Sequence, residues 1–271
     1  MPLEHDQILT AFNRAAPQYE RHAVLQKEAM ERLLERVESD LTDAPNTILD
    51  LGCGTGWACQ PLLTSYPQAQ IIAADFAADM IAQIPPHAQV EGRVTDAHCI
   101  DINAASVDLV YSNLMLQWCN QETVFKEIKR ALKPGGTLHI TSMGEHTLHE
   151  LKSAWQSIDQ EPHVNSFAPT TELADCLFRL GFEEVIADSE FITMTYANVF
   201  DLMRDIKNIG AHNTDNQRRK GLTTPQTIKR LDAAYQEFIQ DGLYPATYEL
   251  VYLRAKKSTT DKGLQVKINA T

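Results

Sequence analysis

The chain has 271 residues, of which 44% are hydrophobic and 22% charged, so it can form a full core and global disorder is excluded. The length fits one α/β domain with insertions better than two domains. A formal net charge of −12 argues against a broad nucleic-acid surface, because affinity there comes mainly from neutralising phosphates. Residues 201–230 are locally basic, and such a segment could dock an acidic partner.

We find no pattern in the sequence that is typical of a targeting or membrane-spanning segment. Residues 1–10 lack the basic start and apolar run of a signal peptide. No apolar stretch approaches the roughly 20 residues needed to cross a bilayer. The five cysteines form no CxxC pair and are expected to be reduced thiols. These features predict a cytoplasmic protein that has no membrane partner.

The N-terminal segment, residues 1–44, has apolar residues at helical spacing that are interrupted by Pro17, which predicts two helices. Strands then alternate with helices through a core at 45–190. The predicted strands are 47–51, 70–75, 89–94, 107–112 and 136–142, and the predicted helices are 57–65, 77–83 and 121–132. Such alternation is typical of a doubly wound parallel sheet.

The regular pattern breaks after the fifth strand. A sixth strand is predicted at 183–190 and the last strand at 247–255, with helical patterns at 199–209 and 224–240 between them. This stretch is too long for a hairpin loop, so residues 191–246 are predicted to form an inserted helical cap. A single domain at 1–255 is therefore expected, followed by a polar tail at 256–271 that should be disordered.

A glycine-rich turn follows the first predicted strand, with Gly52, Gly54 and Gly56 permitting positive φ and close approach to a ligand. Asp75, at the end of the second strand, can accept hydrogen bonds from both ribose hydroxyls of a nucleoside. Three interpretations remain open: an S-adenosylmethionine site in which Asp50 holds the cationic amino-acid end, a dinucleotide site, and a purely structural turn capped by Asp50. The GxGxG spacing favours the first, since dinucleotide sites have GxGxxG.

The turn and the segments after it resemble the motifs of class I S-adenosylmethionine-dependent methyltransferases across roughly 45–142. Residues 75–80 resemble the second motif, 96–97 the adenine-edge pair, 108–113 the fourth strand and 132–136 the helix-to-strand turn. The resemblance implies a seven-stranded Rossmann-like sheet and S-adenosylmethionine as the cofactor. The implied cofactor residues are Asp50, Gly52, Gly54, Gly56, Asp75, Phe76, Met80, Asp96, Ala97 and Asn113. Pro61 departs from the pattern and should kink or delay the first core helix.

The flanking segments resemble the malonyl-acyl-carrier-protein O-methyltransferase family of biotin synthesis, from about residue 8 to 255. The segments that carry this resemblance are 12–19, 112–118, 163–167, 202–211, 221–223 and 246–249. It implies methylation of the free carboxylate of malonyl-acyl carrier protein, or malonyl-CoA, to give the methyl ester that primes pimeloyl synthesis. A carboxylate is ionised at neutral pH, so this reaction needs no general base.

The anionic acceptor does need a cationic partner, and the candidates are Arg204 and Lys207, three apart on one helix face, with Arg14 as an alternative. The same pair could equally be a solvated face that is neutralised by Asp201 or Asp205. Tyr19 is predicted to close over the methyl group or orient the carboxylate, unless it is only a packed aromatic.

The remaining substrate-binding candidates lie near the predicted crevice and in one loop. Gln117 and Trp118 follow the fourth strand at the switch point, although Trp118 could be plain core. His163 and Asn165 belong to a family-like loop, where a histidine is often only a partner of the backbone. Two histidines at 146 and 149 lack further ligands, so no metal is predicted.

Two questions of partner and activity stay open at this level. The basic run 218–220 is a candidate for docking an acidic carrier, and a solvated loop is the plainer interpretation. Alternative functions are an aconitate-like methyltransferase of a small free acid and a non-catalytic protein that only binds S-adenosylmethionine.

Overall fold

The computed structural model describes residues 5–159, 161–208 and 224–260. The helices in this part of the chain are α1 (His5–Ala15), α2 (Tyr19–His22), α3 (Val24–Asp40), α4 (Cys59–Ser65), α5 (Ala78–Ile81), α6 (Gln121–Ala131), α7 (His149–Gln156), α8 (Thr170–Arg179), α9 (Val199–Asn208) and α10 (Pro225–Tyr235), with 3₁₀ turns at Ala16–Gln18, Leu116–Trp118 and Gln236–Phe238. The strands are β1 (Thr47–Leu51), β2 (Gln70–Asp75), β3 (Val90–Val94), β4 (Val107–Ser112), β5 (Leu132–Met143), β6 (Phe182–Tyr196) and β7 (Tyr244–Lys257).

The strands form one sheet in the order β3-β2-β1-β4-β5-β7-β6. The first five strands are parallel, whereas β7 runs antiparallel to both β5 and β6. The predicted doubly wound, seven-stranded fold is therefore confirmed. The chain leaves β1 toward β2 on one side and β4 lies on the other, so a crevice opens at the carboxyl ends of β1 and β4.

Side-chain hydrogen bonds hold the strands that form this crevice and the start of α6 in position. The Asp108 carboxylate, in β4, accepts hydrogen bonds from the backbone N–H groups of Asn46 and Thr47, at 3.1 and 2.9 Å, and pairs with Lys133. These contacts fasten the start of β1 to β4 and β5. At α6 the Asn120 side chain accepts from the Thr123 N–H at 3.0 Å, which is the N-cap arrangement.

Pro17 and Pro61 lie where a missing N–H does little harm. Pro17 lies in the 3₁₀ turn, so the region predicted as two helices divides into α1, that turn, α2 and α3. The first core helix begins at Cys59 rather than at residue 57, which places Pro61 in its first turn. Nitrogens in a first helical turn have no intrahelical acceptor, so the expected delay of regular bonding is what occurs.

The largest differences from the predicted boundaries concern the end of the sheet. β6 continues to Tyr196 and β7 spans Tyr244–Lys257, so the segment between them is 197–243 and the polar tail begins after Lys257. β5 begins at Leu132, not at residue 136. The long pairing of β6 with β7 explains the extension, because each strand satisfies the other's backbone groups. Helices α7 and α8 were not predicted.

Helices α9 and α10 lie between β6 and β7, as the pattern predicts, and they pack into the main core. Val199, Leu202, Leu231 and Tyr235 are fully buried in the same cluster as residues of α3 and β1. The insert is therefore continuous with the core that supports the crevice. Among the residues whose structure is described, no helix combines the length and apolarity needed to span a membrane.

Candidate active site

The glycine turn after β1 brings the backbone against its neighbours too closely for a side chain. Gly52, Gly54 and Gly56 have φ values of +76°, +55° and +81°. A Cβ atom on Gly52 would lie 2.5 Å from Met115 Cβ, a separation that real contacts do not reach. The Gly52 and Cys53 N–H groups donate to the Ala74 carbonyl at 2.7 and 3.1 Å, which fixes the turn against β2.

Asp75 joins this turn to the end of β2. Its Oδ2 accepts from the Gly54 N–H at 3.0 Å and its Oδ1 accepts from the Ala77 N–H at 2.8 Å. Burial raises the pKa of the Asp75 carboxyl, and these backbone hydrogen bonds oppose that rise. The Phe76 N–H is a third backbone donor, and a carboxylate offers about four acceptor positions, so Asp75 can still accept from a ligand hydroxyl.

Asp50 is a buried carboxylate that forms no ion pair with a described residue. Its Oδ2 atom is inaccessible to solvent and has no hydrogen-bond partner among the described residues. Burial, and secondarily the charge of Asp75, raises the pKa of Asp50 to about 7. It lines a cavity of about 400 Å³ together with Gln26, Trp57 and Tyr111. A buried acid in such a pocket is completed by a cationic ligand group such as an ammonium.

The cavity that lies along the ends of β1, β2 and β4, which we call the first cavity, encloses about 710 Å³. The predicted cofactor residues that line it are Gly52, Gly54, Asp75, Phe76, Met80, Asp96, Ala97 and Asn113. Gly56 instead packs against Ile84, whose Cγ1 would lie 3.1 Å from a Cβ at that position. Its role in the structure is to let the turn approach the chain that follows α5.

Several residues that line the first cavity had not been predicted to be in the site, and Phe12 and His98 are two of them. The Phe12 ring, from α1, contacts Phe76 edge-on at a centroid distance of 6.1 Å and Trp118 at 5.7 Å. The His98 Nε2 accepts from the Asn120 N–H at 3.0 Å, so its Nδ1 carries the proton that Asp96 receives at 2.7 Å. Phe12 begins the segment 12–19 that carries the family resemblance, and that resemblance was the available signal.

Asn113 both lines the first cavity and holds its wall together. Its Nδ2 donates to the Gln26 carbonyl at 2.8 Å, and its Oδ1 accepts from the Thr141 hydroxyl at 2.7 Å. These bonds tie α3 and β5 to the end of β4. The side-chain amide is consequently engaged in structure, and its position makes it a rigid boundary of the site.

A second cavity of about 720 Å³ adjoins the first. Both are lined by Phe12, Tyr19, Leu114 and Trp118, which form the boundary between them. The other residues that line the second cavity are Gln26, Gln117, Met143, Thr147, Leu148, Leu151, His163, Val164, Asn165, Phe167, Ile206 and Tyr248. The structure thus brings five predicted residues together here: Tyr19, Gln117, Trp118, His163 and Asn165.

Tyr19 has the most central position of these residues. It lines both cavities and the pocket of Asp50, and its Cε1 would be 3.8 Å from a Cβ on Gly54. Burial, and then the charge of Asp75, raises the pKa of the Tyr19 phenol well above its usual value. The hydroxyl therefore stays protonated at neutral pH and can donate a hydrogen bond.

The basic residues predicted to hold the substrate carboxylate have a different arrangement. The Arg204 side chain is 70% exposed and pairs with Asp201, which is the solvated alternative considered from the sequence. Arg14, at the end of α1, is also exposed. Lys207 belongs to α9, but its side chain, like the basic run 218–220, lies outside the described residues. The structure does not bring Arg204 to the cavities.

The polar wall of the second cavity combines the predicted His163 with groups that had not been predicted, including Gln26 and Tyr248. His163 is oriented by Asp159, 2.7 Å from its Nε2, and by stacking on Trp155 at 3.7 Å between centroids. Tyr248 shares a hydrogen bond with Tyr196, whose hydroxyl also donates to Asp205 at 2.8 Å. A polar residue on the buried face of α3 was the available signal for Gln26.

Within 5–159, 161–208 and 224–260, no group of three or more His, Cys, Asp and Glu side chains is arranged to hold a metal ion.

Comparisons with known proteins agree with this architecture. Residues 49–140 match the family model described as a methyltransferase domain. The Bacillus subtilis YcgJ protein superposes with a TM-score of 0.57 at 15% identity, covering 84% of this chain and 99% of that one. A Haemonchus contortus phosphoethanolamine N-methyltransferase 2 bound to S-adenosyl-L-methionine superposes with a TM-score of 0.52 at 17% identity, covering 84% of this chain and 52% of that one. The fold is that of the class I methyltransferases.

Sequence relatives narrow this class to one family. A malonyl-acyl-carrier-protein O-methyltransferase from Methylovorus sp. is 39% identical, covering 94% of this chain and 90% of the relative. Proteins of the same name from Gallionella capsiferriformans and Legionella pneumophila are 39% and 33% identical, covering 91% and 95% of this chain and 89% and 93% of those relatives. This chain belongs to the malonyl-acyl-carrier-protein O-methyltransferase family.

Proposed function

We propose that the protein transfers a methyl group from S-adenosylmethionine to the free carboxylate of malonyl carried on acyl carrier protein. The observation that carries the proposal is the pair of cavities that meet at Tyr19 and Trp118, one bounded by nucleoside-binding motifs and one closed by the family-specific segments. The product is a neutral methyl ester. Family membership and the biotin-pathway role of that family support the same reaction.

The residues of the first cavity and of the Asp50 pocket, which shares Tyr19, Gly52, Gly54 and Asn113 with it, fit the methyl donor. Asp50 would receive its ammonium, since the Asp50 carboxylate is buried beside the glycine turn and lacks a described hydrogen-bond partner for Oδ2. Asp75 would accept the ribose hydroxyls, and Phe76, Met80 and Ala97 offer apolar surface for adenine. When bound, this cofactor supplies a methyl group that is activated by attachment to a sulfonium.

The second cavity would place the malonyl carboxylate at the boundary between the cavities. The carboxylate is already ionised, so Tyr19 acts as a hydrogen-bond donor that orients it and not as a base. The Phe12 and Trp118 rings, in contact at the boundary, exclude water from the path between the cavities. Orientation and exclusion of water are the contributions that a displacement of this kind needs most.

Several partners and contacts remain part of this proposal. Lys207 and Arg14 are retained as candidate charges for the anionic substrate, and the run 218–220 as a docking site for the acidic carrier. Malonyl-CoA is the alternative thioester, and nucleic acid is not expected as a partner. The five free cysteines support a cytoplasmic location.

The test is methyl transfer from labelled S-adenosylmethionine to malonyl-acyl carrier protein. We expect label in a base-labile methyl ester of the carrier and none in a carrier that bears malonamyl, in which an amide replaces the carboxylate. Free aconitate and malonate, assayed in parallel, should be poor acceptors. Tight donor binding with no label in any acceptor would instead identify a protein that only binds the cofactor.

A further inference from the structure

The turn after β4 fixes the orientation of one side-chain amide in the second cavity. Leu114 adopts φ +50°, an unusual conformation for a leucine, with its N–H donating to the Thr141 hydroxyl at 2.9 Å. Its carbonyl accepts from Gln117 Nε2 at 2.6 Å. A carbonyl can only accept, so the NH₂ group of Gln117 must face Leu114 and its Oε1 must face the other way.

Gln117 Oε1, like Gln26 Oε1 of the same cavity, takes no part in the hydrogen bonds among the described residues. It is inaccessible to solvent and has no hydrogen-bond partner in the part of the chain that the structure describes. Gln117 lines the second cavity. A buried acceptor without a donor is destabilising, so the position favours a ligand that brings an N–H or O–H group.

The reacting end of the substrate cannot supply that donor. An ionised malonyl carboxylate and a thioester carbonyl both offer acceptors only. The phosphopantetheine arm of a carrier protein, in contrast, has amide N–H groups separated by short methylene segments. The apolar side chains of Met143, Leu148 and Phe167 around the same cavity match those methylenes.

We propose that Gln117 Oε1 accepts a hydrogen bond from the pantetheine amide N–H nearest the thioester sulfur, so that Gln117 recognises the carrier arm and positions the malonyl group. This inference rests on the proposed function. Leu114, which holds the Gln117 amide, and Trp118, the next residue, both lie on the boundary with the first cavity. That location selects the amide closest to the reacting carboxylate over the more distant one.

The test compares two forms of malonyl-acyl carrier protein, one with the natural arm and one in which an ester oxygen replaces that amide N–H. The replacement keeps the length of the arm and removes only the donor. For the wild-type protein we expect kcat/KM to be about 10-fold higher with the natural arm. In Gln117→Leu the preference should disappear, so that the ratio approaches one.

Control variants separate this role from general damage. Gln156→Leu changes an exposed glutamine of α7 and should keep the 10-fold preference. If Gln117→Leu is too unstable, as judged by donor affinity and Tm, Gln117→Met removes the acceptor with a more similar shape. A purely structural role would lower kcat/KM equally for both arms.

Equal rates of the wild type with the two arms, or an unchanged preference in Gln117→Leu and Gln117→Met, would overturn the inference and leave water as the partner of Oε1. Methylation of both carriers without a preference would leave the proposed function standing. Failure to methylate either carrier, with donor still bound, would contradict the proposed function itself.

Discussion

The two cavities are assembled from the chain in different ways. The walls of the first come mostly from short segments at the ends of successive parallel strands, at 51–54, 74–80, 95–98 and 113–119. The walls of the second come from α1, α2, α3, the turn at 114–118, the end of β5, α7 and the loop before it, a loop at 163–167, α9 and β7. The residues at one strand end are neighbours in the chain, so they form their part of the cofactor site locally. The second cavity, in contrast, forms only when elements that are distant in sequence have packed together. Variants of the two cavities should therefore differ in which ligand they affect.

Asp75→Ala should have the largest effect, and that effect should fall on the cofactor. The change removes the acceptor of the Gly54 and Ala77 N–H groups as well as the proposed acceptor of the ribose hydroxyls. We expect the Kd for S-adenosylmethionine, measured by calorimetry, to rise about 100-fold or more, since several charge-assisted hydrogen bonds are lost. Asp79→Ala, an exposed acid in α5, is the matched control; comparable affinity in both variants would contradict this assignment.

Tyr19→Phe tests the boundary between the cavities. Loss of the proposed donor to the carboxylate should lower kcat/KM for malonyl-acyl carrier protein about 30-fold, while the donor Kd changes less than about 3-fold. Tyr66→Phe is a suitable control, because the Tyr66 hydroxyl is also buried but lacks a partner among the described residues and belongs to the core. An unchanged kcat/KM in Tyr19→Phe would show that Tyr19 is only a packed aromatic side chain.

The pH dependence of donor binding tests Asp50. Its pKa is raised to about 7 in the free protein, and pairing with an ammonium requires the ionised form. Affinity should therefore increase as pH rises through 7, with a Kd about 10-fold weaker at pH 6 than the limiting value of the ionised form. The Kd should be measured below about pH 7.5, because the α-amino group of the ligand is still largely protonated there. Asp50→Asn should bind more weakly and without this slope; a slope that persists would assign the titration to another group.

Arg204→Ala should have the smallest effect. The side chain is mostly exposed and pairs with Asp201, and exposed pairs of this kind contribute little. We expect kcat/KM for malonyl-acyl carrier protein to stay within about 2-fold of wild type. A loss of 10-fold or more would show that α9 reorients on substrate binding. Arg204 would then bind the substrate carboxylate, as the sequence suggested.

The elements that were predicted correctly and those that were not also divide between the parallel strands and the segments that follow them. The strands at 47–51, 70–75 and 107–112 have the predicted bounds because each is a short, mostly apolar run between polar turn segments, which is typical of a buried parallel strand. β6 was predicted to end at Glu190, but it continues to Tyr196. The extension occurs because residues 191–196 of this edge strand form backbone hydrogen bonds with β7. α7 was missed, and its buried residues, Leu151, Ala154 and Trp155, join a core that includes the inserted helix α10.

By itself, the sequence determined the class of fold, the glycine turn and the acids Asp50 and Asp75, because backbone φ and strand-end position depend on neighbours in the chain. Only the tertiary structure decided that Arg204 is solvated, that Phe12 and Tyr19 divide two cavities, and that Gln117 presents an acceptor. Those outcomes depend on contacts between residues far apart in sequence, such as Phe12 with Trp118. No local pattern encodes such contacts, so they emerge only when the helices outside the sheet pack onto it.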